Sequence, residues 1–337
     1  MSVQHFLQPG AVPTSQTRLL LSNLVKISPI AIGTWSWGDK STWGWNEESD
    51  SKANDAFAES LKKGIGFFDT AEVYGKGESE RCIARYMKNH ANLISEESGN
   101  DFVIATKFLP LPYLLFYPTC LLQHLKDSLE RLEVKQVDLY QIHGPIHLRS
   151  IETLADALAE AVKQGLTKTV GVSNYSTEQV IRMYDALQKH GIQLASNQIE
   201  YSLLRRVPET SGLIKACLDR GIAVLAYSPL GMGRLTGKYS VQNPPPSGRR
   251  FSDYNMELIE PVLNVMRSIA EARNVSVSSV ALNWVMCKGA IPLAGAKNGE
   301  QAIANAQALG WRLSDEEIEK LDQKSIAGSN GWFWQHG

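Results

Sequence analysis

Four side chains able to move a proton or hold a charge stand where apolar runs end: Asp69, Tyr74, Lys107 and His143. The stretch 66–75 reads Gly-Phe-Phe-Asp-Thr-Ala-Glu-Val-Tyr-Gly, setting a carboxylate and a phenol five positions apart where a buried strand gives way to a Gly-rich turn. The run 102–107 stops on a lysine and the run 137–143 on a histidine. A free phenol has a pKa of about 10, and a neighbouring cation favours the phenolate and lowers that value. A lysine to supply the cation, a carboxylate to orient it and an imidazole to assist suit general acid–base work. Each residue also has a duller reading: Asp69 as a turn cap, Tyr74 as a loop aromatic, Lys107 as a surface lysine, His143 as the partner of a local carbonyl. Chemistry is favoured because all four types fall at the ends of the second, third and fourth strands.

Those strands belong to a longer series. Strand-like apolar runs are expected near 28–34, 66–70, 102–107, 137–143, 168–173, 194–200, 222–228 and 290–295. Between them lie helical stretches at 52–63, 121–131, 151–163, 177–189, 211–220, 261–273 and 300–308, with a further helix beginning near Glu78. In the stretch 177–189, Val180, Met183, Tyr184 and Leu187 recur at helical spacing and form a core stripe. Such alternation signals parallel β/α construction. The fold class is therefore α/β, a (β/α)8 TIM barrel, in which the C-terminal strand ends converge on one mouth where catalytic groups collect. Residues 19–27 read as a hairpin turning at Ser22-Asn23, and 314–320 as a last helix with Ser314 and Glu317 forming a capping box. The long loop 240–255, rich in proline and arginine, reads as a mobile flap.

The chain of 337 residues is long enough for two domains, yet barrels of about 250 residues run as one. A single domain over 1–337 is expected, with a barrel core at 19–321 and an aromatic tail at 322–337. With 34 basic and 35 acidic side chains the net charge is -1, which offers no field for nucleic acid or an anionic membrane and favours a small-molecule partner. Cys82, Cys120, Cys217 and Cys287 show no Cys-x-x-Cys pairing, so reduced thiols are expected and no metal site. The first 17 residues carry no long apolar run; without a signal peptide or membrane span, the cytosol is the expected compartment. The oligomeric state is not legible.

Four phrases in chain order, 67–75 around Asp69 and Tyr74, Gly171-Val-Ser-Asn-Tyr175, Ala226-Tyr-Ser-Pro-Leu230 and Gly295-Ala-Lys297, each at an expected strand end, resemble an aldo-keto reductase. The resemblance runs over 19–321 and is nearest to the plant and fungal branch that includes pyridoxal-reductase-like enzymes. It implies that Asp69, Tyr74, Lys107 and His143 are a catalytic tetrad, with Tyr74 as the acid and His143 at the carbonyl oxygen. It also implies a nicotinamide cofactor lying extended across the mouth. Ser173, Asn174 and Gln198 match positions that hold the carboxamide, and Tyr227 the aromatic on which the ring stacks. Ser228, Leu230, Gly231, Gly233 and Arg234 match the pyrophosphate and ribose contacts, while Gly295, Lys297, Gln301 and Asn305 match the adenosine end. Lys297 would neutralise a 2′-phosphate, so NADPH/NADP+ is expected. The glycines of 231–237 mimic a dinucleotide fingerprint with one residue too many before the third glycine, and Pro145 works against reading His143 and His147 as a helical metal pair.

Departures from the family pattern are Gly144 after the histidine, where relatives often carry tryptophan, and Ala294 and Ala304 in place of proline and glutamate. Trp35, Trp37, Trp43 and Trp45, the loop aromatics Tyr113, Phe116 and Tyr117, and the tail residues Trp332 and Trp334 suggest a wide apolar pocket, with space left by Gly144. The reading is an NADPH-dependent carbonyl reductase of an aldehyde or ketone, with a bulky substrate. Two rivals are a nicotinamide-sensing regulatory protein of the same fold and a barrel hydrolase with a metal at Asp69 and His143. The missing His-x-His pair on the first strand speaks against the second.

Overall fold

The computed structural model describes residues 6–337 except 247, 249 and 250. It opens with an antiparallel hairpin, β1 (Leu19–Leu21) and β2 (Val25–Ile27), in register Leu19 to Ile27 and Leu21 to Val25. Ser22 and Asn23 both have positive φ, 48° and 60°, the twist that a tight hairpin turn needs. Leu19, Leu21, Val25 and Ile27 are buried, and Ser22 donates from its hydroxyl to the Gln193 carbonyl at 3.1 Å. Because Gln193 immediately precedes a barrel strand, the hairpin closes the N-terminal end of the barrel.

Eight parallel strands follow: β3 (Ala31–Gly33), β4 (Phe67–Asp69), β5 (Val103–Phe108), β6 (Val137–Ile142), β7 (Thr167–Ser173), β8 (Leu194–Glu200), β9 (Ala223–Tyr227) and β10 (Ile291–Gly295). They close in the order β10-β3-β4-β5-β6-β7-β8-β9, so all eight expected strands are present and the first pairs with the last. β5 and β8 are buried along their full length, as strands covered on both faces must be. The first barrel strand, Ala31–Gly33, is shorter than its expected run of 28–34.

Helices pack outside the strands, and side chains set several of their starts. Ser150 caps Ile151–Lys163, while Ser176 with Gln179 and Ser314 with Glu317 form complete capping boxes on Thr177–Gln188 and Asp315–Lys324. On Thr177–Gln188 the stripe Val180, Met183 and Leu187 is buried, with Tyr184 packed against the core. The expected helix at 211–220 is instead two short ones, Val207–Thr210 and Leu213–Leu218, separated by Gly212 with φ 84°. Another helix starts earlier than expected, at Met256, and carries Pro261 inside its first turns. None of the described helices is long and apolar enough to cross a membrane.

Candidate active site

The C-terminal ends of β4, β5 and β6 bring the tetrad together. Asp69 is the last residue of β4, Lys107 lies one residue from the end of β5, and His143 directly follows β6, its backbone N–H donating to the Phe108 carbonyl at 2.8 Å. Tyr74 opens a short 3-10 turn, Tyr74–Gly77, whose entry depends on Gly75: a Cβ there would lie 2.5 Å from the Gly38 carbonyl oxygen. With φ 57° as well, this position holds the turn against the loop after β3 only because it is glycine.

Lys107 is fully buried and its ammonium has three partners. It donates to Asp69 Oδ2 at 2.5 Å, to the Thr70 carbonyl at 2.7 Å and to the Tyr74 hydroxyl at 3.3 Å. The second Asp69 oxygen accepts from Gln198 Nε2 at 2.8 Å and Gln141 Nε2 at 3.2 Å. His143 meets Tyr74 edge to face, with ring centroids 5.6 Å apart. Burial and the Lys107 charge hold the His143 imidazole well below its ordinary value, so it is neutral. Burial would lower Lys107, but the Asp69 carboxylate and Tyr74 hold it above the usual lysine value. Tyr74 corrects the expectation drawn from its neighbour: burial pushes the phenol up, the lysine opposes this, and Asp69 adds to the rise. The phenol therefore keeps its proton at neutral pH, as a proton donor must.

Next to the tetrad lies a polar cluster around Tyr227. The Tyr227 hydroxyl donates to Asn174 Oδ1 at 2.9 Å, Asn174 Nδ2 donates to Ser173 Oγ at 3.0 Å, and Ser173 donates to the Gln198 carbonyl at 2.9 Å. Ser228, Leu230, Gly231, Gly233 and Arg234 form the loop after β9, which runs into the 3-10 turn Gly231–Thr236. Arg234 is bonded to Asp253 at 2.5 Å and to the Phe251 carbonyl at 3.4 Å, so it fastens the loop 251–253 in this state. At the far side Gln301 accepts from the Lys297 backbone N–H at 2.9 Å, and Asn305 donates to the Gly295 carbonyl at 3.2 Å. These two residues shape the turn that presents Lys297, whose ammonium stands 4.0 Å from the Trp43 ring centroid. Trp43 meets Trp35, Trp35 meets both Tyr74 and Phe251, and Phe251 meets Tyr227, giving a row of rings across the mouth. Positions 247, 249 and 250 of the expected flap lie outside the described residues; Phe251 and Ser252 are fastened to the site, Ser252 donating to Glu200 at 2.7 Å.

The pocket expectation is corrected at three residues. Trp37 is fully buried against Phe68 and Tyr86 and donates from its indole to the Ala296 carbonyl at 2.8 Å, so it is core and joins β3 to the β10 side of the barrel seam. Trp332 is 89% exposed and touches Phe333 instead of the mouth. The space beside Gly144 is filled: an added Cβ would lie 2.6 Å from the Trp334 indole, which also meets His143 at 5.5 Å between centroids. Trp35 stands against Tyr74, with ring centroids 6.3 Å apart. The second histidine, His147, has its ring nitrogens against the Arg149 carbonyl at 2.7 Å and the Tyr175 hydroxyl at 2.8 Å.

Sequence reasoning missed Gln141, Glu200, Arg205 and Phe251. Gln141 was within reach, since residues two apart on a strand share a face and His143 points back to it. Arg205 was not: it donates to the Glu200 carbonyl at 2.7 Å, to Asn330 Oδ1 at 2.7 Å and to the Gly337 carbonyl at 2.5 Å, tying the tail to the end of β8 across more than a hundred residues of chain.

Residues 29–326 match the profile of the Aldo/keto reductase family. The chain is 35% identical over 311 residues to pyridoxal reductase, chloroplastic, of Arabidopsis thaliana, with 88% of this chain and 83% of that protein covered. It is 32% identical over 292 residues to the L-glyceraldehyde 3-phosphate reductase of Escherichia coli K12, covering 81% and 83%. The solved glycerol dehydrogenase of Gluconobacter oxydans superposes with a TM-score of 0.78 at 28% identity, covering 94% of this chain and 98% of that one. The chain is an oxidoreductase that belongs to the aldo/keto reductase family.

Proposed function

We propose that the protein is an NADPH-dependent carbonyl reductase that converts an aldehyde or ketone to the alcohol. The observation that carries this reading is the buried Lys107 ammonium, bonded at once to Asp69, Thr70 and the Tyr74 hydroxyl beside a neutral imidazole. Asp69, itself steadied by Gln141 and Gln198, holds the lysine in place. The lysine charge stabilises the phenolate that forms when Tyr74 gives up its proton, and His143 orients the carbonyl oxygen toward that proton.

The residues present fit a nicotinamide dinucleotide, which when bound supplies the hydride. Ser173 and Asn174 offer hydrogen-bonding groups beside the Tyr227 hydroxyl, with Gln198 behind them bonded to Ser173 and Asp69; the loop 228–234 offers backbone N–H groups, and Gly295, Gln301 and Asn305 present Lys297 at the other end. The lysine gives a 2′-phosphate a cation, which favours NADPH over NADH. Substrate class is read from the rim: Tyr113, Phe116 and Leu148 are exposed on the loops after β5 and β6, and Arg149 donates to the Leu115 carbonyl at 3.0 Å to join those loops. An apolar or aromatic carbonyl compound, rather than a sugar, suits that approach. For the compartment the cytosol is proposed; the four free cysteines fit any reducing compartment, and fractionation of the tagged protein tests the cytosol against a plastid.

The test is NADPH oxidation with a panel of aldehydes and ketones, for the parent and Tyr74→Phe. The variant keeps the ring and loses the hydroxyl, so its kcat should fall by about 10² to 10⁴, the usual worth of general acid catalysis, while NADPH still binds. Near-parent reduction by Tyr74→Phe refutes the mechanism, and no turnover by the parent refutes the reading.

A further inference from the structure

The wall next to the catalytic imidazole is not built from the barrel. Where a side chain on residue 144 would stand, the indole of Trp334 stands instead: an added Cβ would be 2.6 Å from Cζ3 and 2.9 Å from Cη2 of that ring. Real Cβ atoms do not approach so closely, so Gly144 and Trp334 are matched, and the indole can rest there only over glycine. It meets His143 in an edge-on contact with centroids 5.5 Å apart.

The tail is seated by hydrogen bonds on both sides of this ring. Gln335 donates to the buried Glu200 carboxylate, His336 donates from its backbone to the Asn174 carbonyl at 3.2 Å, and Gly331 donates to the Gln335 carbonyl at 2.9 Å. Arg205, 3% exposed, adds its bonds to Asn330 and Gly337 and one to the Ser329 carbonyl at 3.3 Å. Of the three tail aromatics, Trp332 and Phe333 stay exposed and only Trp334 turns inward. Two residues that touch the tail, Asn174 and Glu200, stand at the ends of β7 and β8, so the seat is part of the same mouth as the tetrad.

We propose that Trp334, seated in the notch that Gly144 leaves beside His143, is the specificity-determining residue that sets the size of carbonyl compound this site admits. This rests on the carbonyl-reductase reading. A substrate whose carbonyl oxygen reaches Tyr74 and His143 has its substituents on the side that the indole closes, so small aldehydes fit under it and ring systems meet it. Trp334→Ala removes the wall without altering a tetrad side chain, and Gly144 offers no side chain to replace it.

The experiment measures kcat/KM with NADPH for propanal and for 9-anthraldehyde in the parent, Trp334→Ala and Trp332→Ala. The ratio of the bulky to the small substrate should rise by roughly tenfold or more in Trp334→Ala, the scale of a hydrophobic pocket contact, and stay at the parent value in Trp332→Ala. An unchanged ratio in an active Trp334→Ala enzyme overturns the proposal alone, whereas a parent that reduces no carbonyl compound overturns the carbonyl-reductase reading and this proposal with it. If Trp334→Ala folds poorly, Trp334→Phe should give a smaller rise in the same direction. The seat is checked without turnover by Gly144→Ala, which should lower Tm in the parent background and lose most of that effect in the Trp334→Ala background. Equal losses in both backgrounds show that the two residues do not meet, and overturn the proposal.

Discussion

Replacing Lys107 by methionine removes the cation from the centre of the tetrad while keeping a chain of similar length. Three hydrogen bonds go at once, to Asp69 Oδ2, to the Thr70 carbonyl and to Tyr74. Asp69 Oδ1 keeps Gln198 and Gln141, but Oδ2 faces a methyl group in a place where the pair is 0% and 3% exposed. Breaking one side of a buried ion pair costs about 3–5 kcal/mol, a large part of a domain's total of about 5–15 kcal/mol, so the variant should still fold but unfold at clearly lower denaturant. The Tyr74 phenol loses its one favourable charge, and kcat should drop by about 10² to 10⁴. The double variant Asp69→Asn with Lys107→Met removes both charges and should regain most of the stability and none of the activity, because neutralising a whole buried pair is often close to neutral. Equilibrium unfolding in urea and NADPH oxidation read the two effects separately. The reasoning is refuted if Lys107→Met unfolds like the parent, if the double variant is no more stable than the single, or if either one reduces carbonyl compounds at the parental rate.

Lys297→Met should raise the NADPH KM by about tenfold or more, the worth of a charged hydrogen bond, and leave NADH nearly unchanged; an equal loss for both shows that Lys297 does not read the 2′-phosphate. Because burial holds the Tyr74 phenol above its ordinary value of about 10, kcat/KM for reduction should stay level from neutral pH to about pH 10 and fall beyond it, and a limb near pH 8 would contradict this. His143 has a depressed value in the folded protein, so it contributes stability above the unfolded value of about 6.5 that is lost as pH falls below it. His143→Gln should flatten that acid slope in thermal unfolding, and an unaltered slope argues against a buried neutral imidazole.

The barrel was legible because eight short strand-like runs alternate with helical periodicity and end in polar or glycine-rich turns. The tetrad and the Tyr227 cluster were legible because they occupy strand ends, where position along the chain implies position in space. What depended on tertiary contact was not. A loop tryptophan and a core tryptophan look alike in sequence, and Trp37 is settled only by the Ala296 carbonyl that takes its N–H. The tail has no periodicity to read, and the choice of Trp334 over Trp332 follows from Arg205 and Glu200, far away in the chain. The direction in which Tyr74 titrates was misread for the same reason: a neighbouring lysine is visible in sequence order, whereas the loss of water around the phenol is not.

The hairpin β1–β2 covers the N-terminal end of a barrel whose interior is already filled by side chains. With Leu19, Leu21, Val25 and Ile27 buried at that end and Lys107 buried in the packed interior, Tyr74 in its proposed role as acid is expected to regain its proton through the mouth. That mouth is also the path by which product leaves and the place where Phe251 and Trp334 sit. Recharging the acid and emptying the site are then one traffic problem, so a solvent deuterium effect should appear in the steps that follow chemistry.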